Sequence, residues 1–129
     1  RLPGLQCVDL ITWNKLRIGM GYRTRRKGEY LRVLQKPPLE ATASWSDRGI
    51  PDVWDEKASG HPHEKPFELQ RTLITAVTQL GEYVVDPCAG GYSVLRAARA
   101  CGRRFMGTDL LPWPAVSGGE TGAVSATGL

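Results

Sequence analysis

Two carboxylates and a glycine-rich turn are the groups in this sequence whose types and spacing could bind a nucleoside. Residues 84–92 read VVDPCAGGY, so that Asp86 follows two β-branched residues and precedes a pair of glycines. Glycines let backbone N–H groups approach a ligand, and an acid at a strand end accepts hydrogen bonds from an amino group. Asp109 follows at nearly the spacing with which dinucleotide-binding folds place a carboxylate on a ribose diol. We therefore expect a bound nucleoside here; the alternative is a turn that only connects a strand to a helix.

The elements predicted around these acids would bring both of them to one edge of a sheet. Hydrophobic patterning predicts a strand over 83–85, a helix over 92–100 and a second strand over 103–109. Together they form a βαβ unit with parallel strands, and open α/β sheets bind ligands at the carboxyl ends of such strands. An amphipathic helix is predicted upstream over 67–80, and Gly81 would end it.

The amino-terminal half carries a different pattern. Alternating apolar residues predict two strands, over 5–13 and 29–35, which we expect to pair antiparallel. Residues 37–60 show no sustained period, so we predict a linker or an irregular recognition segment there. Its residues Trp45 and Trp54 either stack on nucleobases or pin the segment to the core.

Positive charge is concentrated near the amino terminus. Residues 1–40 hold nine basic and three acidic side chains, whereas the whole chain has a formal net charge of +4. Residues 19–28 combine glycines with several of these cations, which predicts a long basic loop between the two strands. Such a loop suits a polyanionic substrate, because neutralising phosphates releases counterions. Charge alone favours the plainer alternative, a solvated hairpin tip.

The size and composition are those of one small globular domain or of part of a larger one: 129 residues, 41% hydrophobic and 23% charged. The sequence has no run of about 18 apolar residues and opens with no signal-peptide pattern, so we expect a cytoplasmic protein with no membrane partner. Three cysteines at unrelated spacings predict free thiols. His61 and His63 have no cysteine near them, and no metal site is predicted.

Several linked motifs resemble a known family. They are HPHEKP at 61–66, the amphipathic helix, DPCAGG at 86–91 and GTDL at 107–110; upstream lie WNK at 13–15, GMGY at 19–22, RR at 25–26 and EYL at 29–31. In this order they resemble the carboxyl-terminal part of the circularly permuted, beta-class DNA methyltransferases. Those enzymes use S-adenosylmethionine to make N6-methyladenine or N4-methylcytosine. The resemblance implies an α/β class and a partial Rossmann-like methyltransferase fold, with a βαβ cofactor unit and an antiparallel strand pair.

The resemblance also implies roles for individual residues. It places Lys65 and Pro66 near the methionine end of S-adenosylmethionine and Asp109 on the ribose hydroxyls. The amino-acid and ribose portions would be surrounded by Asp86, Pro87, Cys88, Ala89, Gly90 and Gly91. Cys88 replaces the family's aromatic residue, and Tyr92 adds bulk where a glycine is often found. On the DNA side, the expected contacts are Lys15, Arg23, Arg25, Arg26 and Lys27.

The same resemblance divides the chain into four parts. Residues 1–36 would form the strand pair with its basic loop, facing double-stranded DNA, and 37–60 a linker or short target-recognition segment. Residues 61–110 would form the cofactor-binding βαβ unit, and 111–129 a flexible tail rich in small residues.

One motif of the family is missing. Its members hold the exocyclic amine of a flipped-out base with a polar-Pro-Pro-aromatic tetrapeptide. The only Pro-Pro pair here, Pro37-Pro38, has neither the polar nor the aromatic neighbour and is predicted to end a strand. We therefore expect no catalytic residue in this chain, the tetrapeptide upstream of Arg1, and no activity of the chain alone. The expected protein partner is the missing amino-terminal half or a second copy of the chain.

Three functions are thus compatible with the sequence. The first is the cofactor-binding and DNA-contacting part of a DNA amino-methyltransferase, active only with its other half. The second is a non-catalytic DNA-binding remnant whose cofactor pocket is vestigial. The third is a fragment of a dinucleotide-dependent oxidoreductase, which is disfavoured because no G-x-G-x-x-G motif is present and Asp86 would crowd a pyrophosphate.

Overall fold

A computed structural model describes residues 3–58 and 64–110 and shows a mixed α/β structure in these ranges. In chain order the elements are β1 (Gln6–Gly19), β2 (Arg26–Gln35), α1 (Ala41–Ser44), β3 (Val53–Asp55), α2 (Phe67–Val77), β4 (Tyr83–Asp86), α3 (Ser93–Ala100) and β5 (Arg104–Gly107). The strands form two separate sheets, one in the order β2-β1-β3 and one of β4 with β5. In the described part of the chain, the outer strands β2, β3, β4 and β5 therefore each have one side that is not paired with another strand.

The antiparallel strand pair is confirmed, but it is longer than predicted. β1 and β2 pair from Gln6 opposite Gln35 to Gly19 opposite Arg26. The predicted loop over 19–28 is therefore wrong at both ends, and only residues 20–25 connect the strands. The register shifts between Asn14 and Gly19, a stretch in which Leu16 has a φ of 56°. The two strands pair again beyond this irregularity, although the glycines and charged residues there would locally predict a loop.

Residues 37–60, predicted to be a linker or an irregular recognition segment, contain two short regular elements. α1 lies in this segment, and the three residues of β3 pair parallel with the outer edge of β1. A strand of three residues is too short to show a period, and it forms because β1 offers free backbone groups. Trp54 packs against the core, and the indole N–H of Trp45 donates to Gln35 at 3.2 Å. The tryptophans therefore pin the segment to the rest of the molecule.

The amphipathic helix is confirmed at its start and is shorter than predicted at its end. α2 begins after Pro66, as predicted, but ends at Val77 rather than at residue 80. Thr78 is extended, and its hydroxyl donates to the carbonyl of Ile74, which terminates the helix before Gly81 is reached. Gly81 instead takes a φ of +79° in the turn that leads to β4.

Helix α2 joins the two sheets because its apolar face contacts both. Leu69 packs with Ile11 and Trp13 of the first sheet, and Leu69 and Trp13 are the largest fully buried side chains. One turn further along, Ile74 packs with two alanines of α3, Ala97 and Ala98. Leu73 packs with the cluster of Leu69 and Phe67 with that of Ile74, so the strand pair and the βαβ unit lie against different sides of a single helix.

The βαβ unit has the predicted parallel pairing, from Tyr83 opposite Arg104 to Asp86 opposite Gly107. Helix α3 covers one side of this two-stranded sheet and contacts both strands. Tyr83, Val85 and Met106 nevertheless remain more than half exposed. The sheet therefore presents apolar side chains that the described part of the chain does not cover.

Some predictions fall on residues outside the described ranges, namely His61, His63 and the tail over 111–129. Among the described residues, no helix is both long and apolar enough to cross a membrane. Within the same ranges, no group of three or more His, Cys, Asp or Glu side chains is placed to hold a metal ion.

Candidate cofactor and nucleic-acid site

The turn after β4 is held by hydrogen bonds to the segment after β5. The Asp86 carboxylate accepts from the backbone N–H of Cys88 at 3.0 Å, which fixes the first half of the turn. The N–H of Ala89 donates to the carbonyl of Thr108 at 2.9 Å, and the N–H of Thr108 donates to the carbonyl of Asp86 at 3.1 Å. The two loops that follow the parallel strands therefore form one rigid edge.

Asp109 lies against the glycine turn. Its Oδ2 accepts from the backbone N–H of Gly90 at 2.6 Å, and Gly90 adopts a φ of +51°, which favours glycine. Asp86 and Asp109 are thus brought to the same turn, one at each end of it. A Cβ built on Gly91 would meet no atom within 4 Å, so there is open space beside the turn.

Tyr92 is accommodated in the core of the βαβ unit. It has a left-handed backbone conformation, with a φ of 55°, at the residue before α3 begins. Its ring packs edge-to-face with Phe105 at a centroid distance of 6.4 Å, and the residue is buried beside Ala89 and Leu95. The bulk that the sequence places after the glycine pair therefore fills a cavity beneath the turn.

Lys65 lies in an ion-pair cluster that the sequence did not predict. Its Nζ is 2.6 Å from one oxygen of Glu29, and the Nζ of Lys15 is 3.0 Å from the other. Lys15 also lies over the ring of Trp13, 5.8 Å from its centroid. Glu29 therefore joins a predicted cofactor residue to a predicted DNA contact. The only sequence signal is an acid at the start of the predicted second strand, separated by one glycine from a basic run.

The charge state of Glu29 reflects this cluster. The hydrogen bond from Lys65 lowers the pKa of the Glu29 carboxyl below its ordinary value, partial burial opposes that shift, and Lys15 lowers the pKa further. A group with a lowered pKa stabilises the fold above its unfolded pKa, and this contribution is lost as the pH falls through the folded pKa.

We expect Glu29→Gln to destabilise the chain by less than about 1 kcal/mol at pH 7, because the partly exposed pairs are screened by water and salt. The difference from the unsubstituted chain should shrink as the pH falls below the ordinary glutamate pKa, and it should vanish once the pH has fallen through the lowered pKa of the folded state. Urea unfolding over a series of pH values from 7 downward measures it. Glu40→Gln, at an exposed side chain without an ion pair in the described residues, is the matched control. A loss of stability that stays the same from pH 7 to the acid end of the series would contradict the assignment.

The other predicted DNA contacts lie at the tip of the β1–β2 hairpin and are exposed: Arg23, Arg25, Arg26 and Lys27. No described carboxylate forms an ion pair with any of them. Lys15 differs from this group, because it is mostly covered and is paired with Glu29. Tyr22, which is fully exposed at the tip, was not selected from the sequence.

A cavity of about 270 Å³ in the described residues lies away from these groups. It is lined by the start of β1, at Val8 and Asp9, by the end of β2, at Gln35, and by Trp45. The hairpin tip and the Asp86 turn are not part of its lining. The candidate site is therefore an open edge and not an enclosed pocket.

Comparison with known proteins gives a consistent result. A family model described as DNA methylase, of the N6/N4 type, matches residues 4–112. The type II methyltransferase M.HhaII of Haemophilus parahaemolyticus is 50% identical over 111 residues, which cover 84% of this chain and 49% of the relative.

Two solved structures have similar folds. The crystal structure of the M1.HpyAVI–SAM complex matches with a TM-score of 0.65 and 20% identity, covering 82% of this chain and 57% of that one. The cytosine-N4-specific PvuII DNA methyltransferase matches with a TM-score of 0.65 and 14% identity, covering 84% and 48%. The chain thus spans about half the length of the proteins that it resembles.

Proposed function

Since this chain belongs to the N6/N4 family of DNA methylases, we propose that it forms the carboxyl-terminal part of a site-specific DNA methyltransferase. Members of this family are S-adenosylmethionine-dependent DNA methyltransferases. The proposed reaction transfers a methyl group from S-adenosylmethionine to the exocyclic amine of adenine (N6) or cytosine (N4). The observation that carries this proposal is the convergence of Asp86 and Asp109 on one glycine turn at the end of two parallel strands.

The described residues fit such a cofactor. The turn is exposed except at Ala89, which is buried, the space beside Gly91 is open, and two carboxylates border it. When bound, S-adenosylmethionine supplies a methyl group activated by its sulfonium. On this proposal Asp86 accepts hydrogen bonds from the amino-acid end and Asp109 from the ribose hydroxyls, while Gly90 keeps the backbone close to the ligand.

The lysine cluster would serve the amino-acid end of the same ligand, where the carboxylate lies. Glu29 has two positive partners, so the cluster as a whole carries a net positive charge. An ammonium group at Lys65 would attract the carboxylate of the methionine portion. Because Glu29 lies on β2, this contact would also link the cofactor unit to the hairpin that carries the predicted DNA contacts.

On the DNA side, the exposed cations of the hairpin tip would neutralise phosphates and so bind without reading sequence. The sequence contains no polar-Pro-Pro-aromatic tetrapeptide to hold the exocyclic amine. That step would be supplied by an amino-terminal half that carries the tetrapeptide. The apolar residues that the described chain leaves exposed on the βαβ sheet, Tyr83, Val85 and Met106, support such a partner.

Methyl transfer to duplex DNA from radiolabelled S-adenosylmethionine tests this proposal. The chain alone should give no turnover, and the chain co-expressed with the amino-terminal half of M.HhaII should give methylated DNA. Robust turnover by the chain alone would refute the predicted inactivity. Absence of methylation with the complementing half, together with absence of cofactor binding, would refute the enzyme assignment.

The second candidate function is a DNA-binding remnant with a vestigial cofactor pocket. The observation that favours it is the concentration of cations at the hairpin tip that no described carboxylate pairs. Salt-dependent binding of duplex DNA without any calorimetric signal for S-adenosylmethionine would select this function over the first.

A further inference from the structure

An alternating row of apolar residues runs along the distal part of β1 into the hairpin tip. The exposed fraction rises from 54% at Leu16 and 64% at Ile18 to 86% at Met20 and 100% at Tyr22. Between them stand Arg17, Gly19 and Gly21. We call residues 16–27 the arm. Its large apolar side chains are not covered by the described part of the chain, although exposed apolar residues normally occur singly on a protein surface.

The charges of the arm restrict what could cover this row. Residues 16–27 contain five basic side chains and no acidic one. A polyanion is therefore the partner that this surface attracts. Contacts to phosphates alone would not require an exposed tyrosine and methionine, so the apolar row points to the bases of a nucleic acid.

The tip has a defined shape that presents Tyr22. A Cβ added to Gly21 would lie 1.9 Å from the carbonyl oxygen of Thr24, so the tight turn requires glycine at this position. The pairing of Gly19 with Arg26 closes the base of the tip. A shallow cleft is lined by Tyr22, Arg23, Thr24 and Arg26. The aromatic ring thus stands beside guanidinium groups that could bind the flanking phosphates.

We propose that the arm enters duplex DNA as a two-stranded ribbon, with its apolar row against the bases and Tyr22 stacked on an unstacked base. A ribbon of two strands fits the major groove, and aromatic stacking on bases is tolerant of sequence. Apolar side chains are known to act as wedges between base steps. The inference rests on the proposed DNA partner and adds the residues that contact the bases.

The test is titration of a fluorescently labelled duplex of about 30 base pairs with the chain over a series of salt concentrations. Tyr22→Ala should weaken binding about tenfold and Tyr22→Phe less than about twofold, because stacking needs only a ring. Neither change should alter the salt dependence. Arg23→Gln with Arg26→Gln should instead reduce the slope of log affinity against log salt by nearly one for each phosphate that is no longer neutralised.

Two further measurements separate the outcomes. Tyr30→Ala removes another exposed tyrosine, 72% exposed on β2, and should leave binding unchanged. The fluorescence of 2-aminopurine in the duplex should change with the unsubstituted chain and not with Tyr22→Ala, because Tyr22 replaces a base as the stacking partner. Failure of the unsubstituted chain to bind the duplex would refute the DNA partner itself. Salt-dependent binding that Tyr22→Ala and Tyr22→Phe leave equal to the unsubstituted chain would overturn the stacking role alone.

Discussion

Replacement of Asp109 by alanine is expected to lower the affinity for S-adenosylmethionine by about 10- to 100-fold. A hydrogen bond to a charged group contributes about 1.5–3 kcal/mol, and alanine would remove the acceptor proposed for the ribose. It would also release the N–H of Gly90, which now donates to Asp109 at 2.6 Å, and so loosen the glycine turn. Isothermal titration calorimetry with S-adenosylmethionine measures the effect.

Two variants control this experiment. Asp47→Ala removes the same kind of contact elsewhere, because Asp47 accepts from the N–H of Gly49 at 2.8 Å outside the candidate site. It should leave the affinity unchanged. Asp109→Asn keeps an oxygen that can accept from Gly90 and should give an intermediate affinity. Unchanged binding by Asp109→Ala would rule out the ribose contact.

The substitution with the largest expected effect on stability is Trp13→Ala, at about 3–5 kcal/mol. Trp13 is only 1% exposed and packs with Ile11 and Leu69. Its indole N–H donates to the carbonyl of Glu56 at 2.7 Å, which the substitution would leave without this donor. Since small domains are stable by only about 5–15 kcal/mol, this change should remove a large part of the total.

Urea unfolding followed by circular dichroism measures the loss. Trp13→Phe should cost less, because it keeps most of the apolar volume and loses the indole hydrogen bond. Trp45→Ala is the matched control, because Trp45 is only half-buried and its indole donates to the side chain of Gln35. A loss below about 1 kcal/mol for Trp13→Ala would show that the packing of Trp13 with Ile11 and Leu69 does not stabilise the chain.

The elements that followed from the sequence are those whose signal is local. Periodicity and the residues flanking each run predicted the βαβ unit, the start of α2 and the antiparallel pair. β3 could not be predicted in this way, because Val53–Asp55 becomes a strand only when β1 lies beside it. The helix α2 ends early, where the Thr78 hydroxyl donates to the carbonyl of Ile74. The sequence predicts this end at Gly81, three residues further on.

In the candidate site, too, some features have a sequence signal and others depend only on contacts between distant residues. The convergence of Asp86 and Asp109 followed from the rule that parallel strands end at the same edge. The pairing of Lys65 with Glu29 joins residues that are 36 positions apart, and no spacing rule connects them. The exposure of Tyr22 likewise depends on how far β1 and β2 extend. Their length could not be predicted, because the glycines of the hairpin indicated a loop.

The edges of the two sheets have a consequence for handling the chain. β2 and β4 each have one side with no strand beside it in the described residues, and the β4 side adjoins uncovered apolar groups. Unsatisfied backbone donors and acceptors of this kind template addition of strands from other molecules. In concentrated solution the chain should therefore form assemblies of mixed size in which edge strands of different molecules pair. A complementary polypeptide that covers these edges would therefore keep the chain soluble, whatever other role it has.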